Sequence, residues 1–342
     1  MPTQLRALAW LLLPILALSP VALATDNYLE RAETRELIDR LVDQEGLDRQ
    51  KLEGYFRDAR REERILEAIA RPAERVLTWG EYQDIFLKEE RVRQGVAFFN
   101  EHREIFERAE RETGVPAEII LAILGVETRY GRSKGSWRVL DALVTLGFDY
   151  PPRASFFRGQ LRHLFLLEEE AGIDPAEVKG SYAGAIGYPQ FIPSSYRAYA
   201  VDFSGDGRID LVNSPADAIG SIANYLKEHR WRRGHPVAAR ARTGEGGSRK
   251  HFDSNYRPDT TLAELERKGA TALPCTDDLS EFCMDQPGET RVAALELKGK
   301  HGPEYWMVTD NFYVITRYNH SELYAMAVYH LSRMLAGHLK TQ

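Results

Sequence analysis

The sequence predicts an α+β fold that is mainly helical. Three observations carry that reading. Apolar residues recur at helical spacing through the first third of the chain. One helix near the middle is apolar on nearly every side, which places it in a core. Val, Ile, Thr and aromatic residues gather between Arg291 and Tyr318 with partial alternation, and there they read as strands. At 342 residues, 43% hydrophobic and 28% charged, the chain can bury a large core. Two domains, or one with a substantial insertion, is the expectation at this length.

Taken in order, Arg6 precedes an apolar run, Ala7–Leu18, and Ala22-Leu23-Ala24 puts small residues at both key positions of a signal-peptidase site. The run is broken by Pro14 and is short for a membrane span of ~20 residues. Residues 1–24 are therefore read as a signal peptide, with an uncleaved anchor helix as the other reading. No Cys follows the run to carry a lipid, which predicts a periplasmic protein without a lipid anchor. From Thr25 to Ala109 the pattern is helical. Leu37, Ile38, Leu41 and Val42 form one stripe, and Leu52, Tyr55, Phe56 and Ala59 a second. Val92, Val96, Phe99, Phe106 and Ala109 mark a longer one, and Pro72 punctuates the series.

The stretch Val115–Gly131 predicts the buried helix, with Pro116 suited to its first turn and Gly131 to the residue past its end. Helices follow near Leu140–Leu146 and Phe157–Leu167, separated by Pro151-Pro152. Gly180–Ser195 carries three glycines and two prolines among aromatics, so it reads as a structured loop leading into a short helix. Ser214-Pro215-Ala216-Asp217 is a helix start, continued by Ile219, Ile222 and Leu226. Beyond Trp231 the composition shifts. Thr243–Asp259 is glycine-rich and charged, Arg291–Leu297 and Tyr305–Tyr318 read as strands, and a closing helix runs from Ser321 as N-cap to Gly337. The expected layout is a helical domain over 25–110 joined by the C-terminal helix 321–342, a core over 111–233, and a small β-containing domain over 234–320.

Composition excludes several function classes. The net charge is −6, and loss of residues 1–24, whose one charge is Arg6, makes it more negative. A nucleic-acid partner would call for a basic footprint instead. HExxH, Walker and clustered Cys/His patterns are absent, so metalloprotease and nucleotide-dependent chemistry lack their residues. The two cysteines, Cys275 and Cys283, lie close together in a polar loop, and in an exported chain a local disulfide is the expectation. Asn319-His320-Ser321 spells an N-glycosylation acceptor, a triplet common by chance.

Two constellations bear on chemistry. Ile120, Ile123, Leu124 and Glu127 fall at i, i+3, i+4 and i+7, so one carboxylate shares a stripe with three aliphatic side chains. Burial and the negative end of the helix dipole both raise a carboxyl pKa, as a general acid requires. A structural Glu paired with Arg129 or another cation is the alternative. The stretch Asp202–Asn213 follows EF-hand loop spacing. Asp202, Ser204, Asp206 and Asp210 stand at positions one, three, five and nine, Gly207 at six and Ile209 at eight. Asn213 replaces the bidentate Glu at position twelve, which predicts weaker binding of calcium or another cation; a solvated Asp/Gly turn is the bland alternative.

GVETRYG at Gly125–Gly131, GSYAGAIGYPQFIPSS at Gly180–Ser195, the DFSGDG loop and NFYVITRYNHS at Asn311–Ser321 occur in an order that resembles the membrane-bound lytic murein transglycosylase B family. The likeness runs through nearly the whole chain after the leader. It implies a lysozyme-like core between a helical domain and a small β domain, with the EF-hand loop in the core. It also implies cleavage of peptidoglycan between N-acetylmuramic acid and N-acetylglucosamine, leaving an anhydromuramic end. By that resemblance Glu127 is the single acid/base, and Arg153, Ser181 and Gln190 are polar groups of the cleft. Tyr225, Tyr318, Asn319, Tyr324 and Tyr82 line it. Asp202, Ser204, Asp206 and the Arg208 carbonyl hold a structural calcium. The implied partners are glycan strands and other cell-wall enzymes. The sequence departs from the family's best-known member at Phe156, where that member has tyrosine, and at Pro152, where it has arginine. It also lacks the lipid-anchor cysteine, and the Cys275/Cys283 pair is a local addition. A hydrolytic muramidase and a non-catalytic peptidoglycan-binding protein are the rival readings.

Overall fold

The computed structural model describes residues 27–70, 77–243, 251–252, 255–275 and 282–339. The expected leader, Pro72 and much of the glycine-rich Thr243–Asp259 stretch lie outside them. The described chain opens with α1 (Ala32–Glu45), α2 (Arg49–Asp58) and α3 (Glu63–Ile69), then α4 (Trp79–Phe86), α5 (Glu89–Glu101) and α6 (Arg103–Thr113). The stripes expected on α1 and α2 face inward: Leu37, Ile38, Leu41, Leu52 and Phe56 are buried. The long third stripe is two helices and not one. His102 leaves helical geometry at φ −121°, and the bend brings Phe99 and Phe106 to 5.3 Å between ring centroids.

The buried helix is α7 (Ala117–Thr128), and every residue in it is buried except Glu118 and Glu127. Removing Ile120, Ile123 and Leu124 from water contributes about 2 kcal/mol each. It ends two residues earlier than glycine placement predicted. Arg129 already takes the left-handed conformation at φ 52°, followed by Tyr130 at φ 60° and Gly131 at φ 85°. Gly131 is required for space as well as for backbone angle, since a Cβ there would sit 1.9 Å from the Tyr188 ring. Against α7 pack α5, α6 and α11 (Pro215–Glu228), while α8 (Val139–Asp149) packs on α9 (Ala154–Ala171), α9 on α10 (Pro193–Tyr199) and α10 on α11. A two-residue ladder of β1 (Trp137–Arg138) on β2 (Lys179–Gly180) opens the Gly180–Ser195 loop, which is held by bridges of Ile186 to Gly180 and Phe191.

The second half builds an antiparallel sheet of order β4-β6-β7-β3-β5 from β3 (Ala238–Thr243), β4 (Thr260–Thr261), β5 (Ala270–Ala272), β6 (Arg291–Gly299) and β7 (Gly302–Thr309). A short helix, α12 (Leu262–Arg267), covers it, and the Cys275–Cys283 disulfide forms beside it with Cα atoms 4.8 Å apart. Met307, Phe252, Leu262 and Leu265 belong to a small core of their own on one sheet face. Trp306 and Val308 on the other face join the large helical core.

One strand expectation is overturned. Tyr305–Tyr318 is extended only to Thr309; Asp310–Tyr318 is helix α13. The β-branched run Val314-Ile315-Thr316 imitates a strand, but Thr309 accepts the Asn311 N–H as an N-cap and Asp310 sits in the first turn. The buried Asn311 amide locks the start by bonding Arg232 N–H at 2.8 Å and the Arg232 and His235 carbonyls at 2.9 Å. The final helix, α14 (Glu322–Leu339), follows after Asn319-His320-Ser321 and lies along α7, α4 and α5.

Candidate active site

Two helices far apart in sequence make the centre of the site. Glu127 stands in the last turn of α7, half-buried, and the Tyr324 hydroxyl from the first turn of α14 donates to its Oε1 at 2.6 Å. Tyr324 is 2% exposed. Its phenol is raised well above the ordinary range, first by burial and then by the charge of Glu127, so it stays a hydrogen-bond donor. Tyr318 lies parallel to Tyr324, ring centroids 6.3 Å apart and planes 9° off, with its hydroxyl on the Pro189 carbonyl at 2.6 Å. It too is raised well above the usual range by burial and by Glu127. Arg91, a buried cation on α5, braces α7 from behind by donating to the Gly125 carbonyl at 2.7 Å.

Beside Tyr318 opens a cavity of about 470 Å³. Its walls include Arg153, Phe156, Gln190, Tyr199, Tyr225, His229, Arg317, Tyr318 and His320, and no carboxylate lines it. Glu127 does not line it directly; it connects through Tyr318 and Tyr324. Tyr225 packs against Tyr318 at 4.9 Å and donates to the Arg317 carbonyl at 2.5 Å, and burial pushes its phenol up. Arg153 lies over the Phe156 ring at 4.2 Å, leaving that exposed aromatic at the cavity edge. Gln190, at φ 51°, donates through its side-chain nitrogen to the Lys134 carbonyl at 3.1 Å and the Gly187 carbonyl at 2.7 Å. Its amide oxygen therefore remains as an acceptor.

The other expected site residues sit further out. Ser181 uses its hydroxyl to accept Ala183 and Ala185 N–H groups at 3.2 and 3.1 Å, so in this structure it shapes the loop. Tyr82, on α4, is buried against Phe86 and lies close enough to Tyr324 to raise its phenol. Asn319 ends α13, where its carbonyl accepts the Ser321 N–H at 2.7 Å. Sequence reasoning missed Arg317, His320, His229, Tyr199 and Phe191 as walls. No periodic signal marks them, because they come from the ends of α10, α11 and α13 and from the Gly180–Ser195 loop.

The Asp202–Asn213 loop caps the far side of α11. Asp202 accepts Gly205 and Gly207 N–H groups at 2.7 and 2.8 Å and the Ser204 hydroxyl at 3.1 Å, and these bonds, the Gly207 one foremost, hold its carboxyl below the usual range. Asp210 accepts from Val212 and Asn213 backbone N–H groups at 2.8 Å and from the Asn213 side chain at 3.0 Å. Asp206 accepts the Arg208 N–H at 2.9 Å. Among the described residues no group of three acidic, His or Cys side chains converges as a metal site. The available donors are oxygens throughout, as a hard cation requires, and a carboxylate oxygen has lone pairs beyond its backbone bonds. A residue the loop spacing did not single out holds it in place. Buried Asp217, on α11, accepts Phe203, Ser204 and Asp210 N–H groups at 2.9, 2.8 and 2.9 Å.

The chain that builds this site has counterparts among known proteins. The transglycosylase SLT domain model matches residues 30–333. The chain belongs to that family. Membrane-bound lytic murein transglycosylase B of Escherichia coli is 39% identical over 321 residues, which is 91% of this chain and 84% of that protein. Among solved structures, the soluble lytic transglycosylase SltB1 of Pseudomonas aeruginosa matches with TM-score 0.82 and 47% identity, covering 90% of this chain and 99% of that one. The lytic transglycosylase Slt35 of Escherichia coli in complex with calcium matches with TM-score 0.79 and 39% identity, covering 92% and 95%. The fold class expected for this SLT-family chain, helical with a lysozyme-like core and a small antiparallel sheet, is the one found.

Proposed function

We propose that this transglycosylase cleaves the β-1,4 bond between N-acetylmuramic acid and N-acetylglucosamine in peptidoglycan without water, with Glu127 as its single acid/base. The observation that carries the reading is the site's one carboxylate: Glu127 receives Tyr324, and the cavity beside it holds aromatics, Arg and Gln but no acid. A glycosidase that uses water or a protein nucleophile needs two carboxyl groups flanking the bond. A single one suffices when the sugar attacks itself.

The bond accepted at Oε1 leaves Oε2 of Glu127 to carry the proton. Glu127 gives that proton to the glycosidic oxygen, the bond from C1 to that oxygen breaks, and the muramic N-acetyl oxygen stabilises the cationic C1. The carboxylate then takes the proton of the C6 hydroxyl, O6 bonds to C1, and the 1,6-anhydro ring closes. The proton lost in the first step is recovered in the second. Tethering of O6 supplies the effective molarity of an intramolecular reaction. Tyr324 orients the carboxylate, Gln190 and Asn319 serve as hydrogen-bonding groups for N-acetyl or glycan oxygens, and Tyr225, Tyr318 and Tyr82 with Arg153 shape the sugar platform. Ser181 acts by keeping its loop in shape.

Asp202, Ser204, Asp206, Arg208 through its carbonyl, Asp210 and Asn213 hold calcium as a brace for the core. Residues 1–24 direct export to the periplasm, where glycan strands and other cell-wall enzymes are the partners. Residues 25–110 with 321–342, 111–233 and 234–320 act as three domains. No helix of the described residues is long and apolar enough to cross a membrane.

Mass spectrometry of digested sacculi tests the chemistry. The expected products carry anhydromuramic ends; reducing ends would make the protein a hydrolase, and no products would make it a binding scaffold. Glu127→Gln is expected to keep the fold and lose ~10²–10⁴-fold in turnover, as loss of a general acid does. Near-normal turnover in that variant overturns the assignment.

A further inference from the structure

A second cavity, of about 270 Å³, opens between the end of α11 and the sheet, and its walls are strongly basic. Arg230 and Arg232 enter from the turn after α11, Arg257 from the segment before β4, and Arg291 from the start of β6, with Tyr313 of α13 as one side. One carboxylate opposes these four guanidinium groups. Asp310 pairs with Arg232 at 2.9 Å. Arg291 donates to the Pro258 carbonyl, and Arg257 lies 6.0 Å over the Tyr313 ring. Among the described residues Arg230, Arg257 and Arg291 make no ion pair. Arg230 holds φ 71°, a backbone state in which a side chain is strained, yet the position carries a long cation. In a chain of net charge −6 this is a local reversal of sign.

The cavity shares a wall residue with the one beside Tyr318. His229 lines both, and its ring stacks on Tyr225 at 4.1 Å. At ~30 Å³ per water the basic cavity holds a group of amino-acid size, too small for a disaccharide. Glycan rings are neutral, and in peptidoglycan the muramic carboxyl is tied up as an amide. The negative charge of the polymer therefore resides in its stem peptides, which end in carboxylates. Arginine forks match carboxylates in a bidentate manner.

The geometry points to a stem-peptide subsite: the pocket of Arg230, Arg232, Arg257 and Arg291 takes a peptide carboxylate from the glycan strand lying in the neighbouring cleft. It rests on the peptidoglycan reading above and adds a determinant of which strands are cut.

The test compares kcat/KM of the full chain on strands bearing stem peptides with kcat/KM on strands stripped by an amidase. It does so for the native sequence and for Arg230→Gln/Arg257→Gln. The ratio of the two is insensitive to a general loss of folded protein. Loss of a charge-assisted hydrogen bond predicts that the ratio falls about tenfold through KM. Calorimetric titration with free stem peptide, and separately with inorganic phosphate, reads binding without turnover, and the double variant is expected to bind the peptide about tenfold more weakly. An unchanged ratio or an unchanged peptide Kd overturns the proposal. So does arginine-dependent binding of phosphate without binding of the peptide, which would mark a phosphate site. If neither strand is cut, the reading of the reaction fails, and the peptide Kd alone decides the subsite.

Discussion

A phenol and a carboxyl group 2.6 Å apart form the centre of the candidate site. Tyr324 keeps its proton because burial and the Glu127 charge both oppose its ionisation. It therefore stays a donor to Oε1, which in the proposed reaction leaves Oε2 to face the substrate. Tyr324→Phe removes that donor while keeping the ring that stacks on Tyr318. Turnover on glycan strands is expected to fall about tenfold or more, the worth of a hydrogen bond to a charged group, with circular dichroism unchanged. Equal turnover in the two proteins would mean that packing alone orients Glu127. Asp217 is the second residue on which much depends, since three backbone N–H groups of the Asp202 loop end on its two oxygens. Asp217→Asn turns one acceptor into a donor facing an N–H. It is expected to lower unfolding free energy in urea by about 2–3 kcal/mol.

Among the elements, α14 does the most joining. It lies along α7, carries Tyr324 into the site, and sends His330 into an aromatic box of Phe282, Trp306 and Trp79, with centroids at 4.6, 5.3 and 5.1 Å. Burial first, and then the charge of Arg240, hold the His330 imidazole down to about 3. The folded chain thus keeps it neutral where the unfolded chain, titrating near 6.5, binds a proton. Stability from this group is full above pH 6.5 and is lost as the pH falls from there toward 3, with a slope of at most ~1.4 kcal/mol per pH unit. His330→Phe is expected to flatten urea-unfolding free energy between pH 7 and pH 4, and an unchanged slope would remove His330 from the acid response. The same element scale explains the misread strand. Strand-like composition at Val314-Ile315-Thr316 lost to an N-cap and to the Asn311 bonds across the chain, a tertiary preference that outweighs local propensity.

For the whole molecule, the large helical core and the small core of the sheet are joined across β7, whose two faces serve one each. The Asp202–Asn213 loop is tied to α11 through Asp217. Calcium is expected to raise Tm in a concentration-dependent way, as a ligand of the native state does, and Asp202→Ala is expected to abolish the rise. A Tm indifferent to calcium and to chelator would leave the loop as a hydrogen-bonded turn.

Read by itself, the chain determined the mainly helical α+β class, the buried helix that carries Glu127, the structured Gly180–Ser195 loop and the pairing of Cys275 with Cys283. Those are properties of spacing, capping and composition over short windows, where local physics is decisive. Tertiary structure alone decided that Tyr324, 197 residues away, reaches Glu127, that Asp217 clamps a loop it follows, and that Arg257 and Arg291 join Arg230 and Arg232 around one pocket. Contacts of that kind depend on how elements pack over long separations, and no periodicity in a single sequence encodes them.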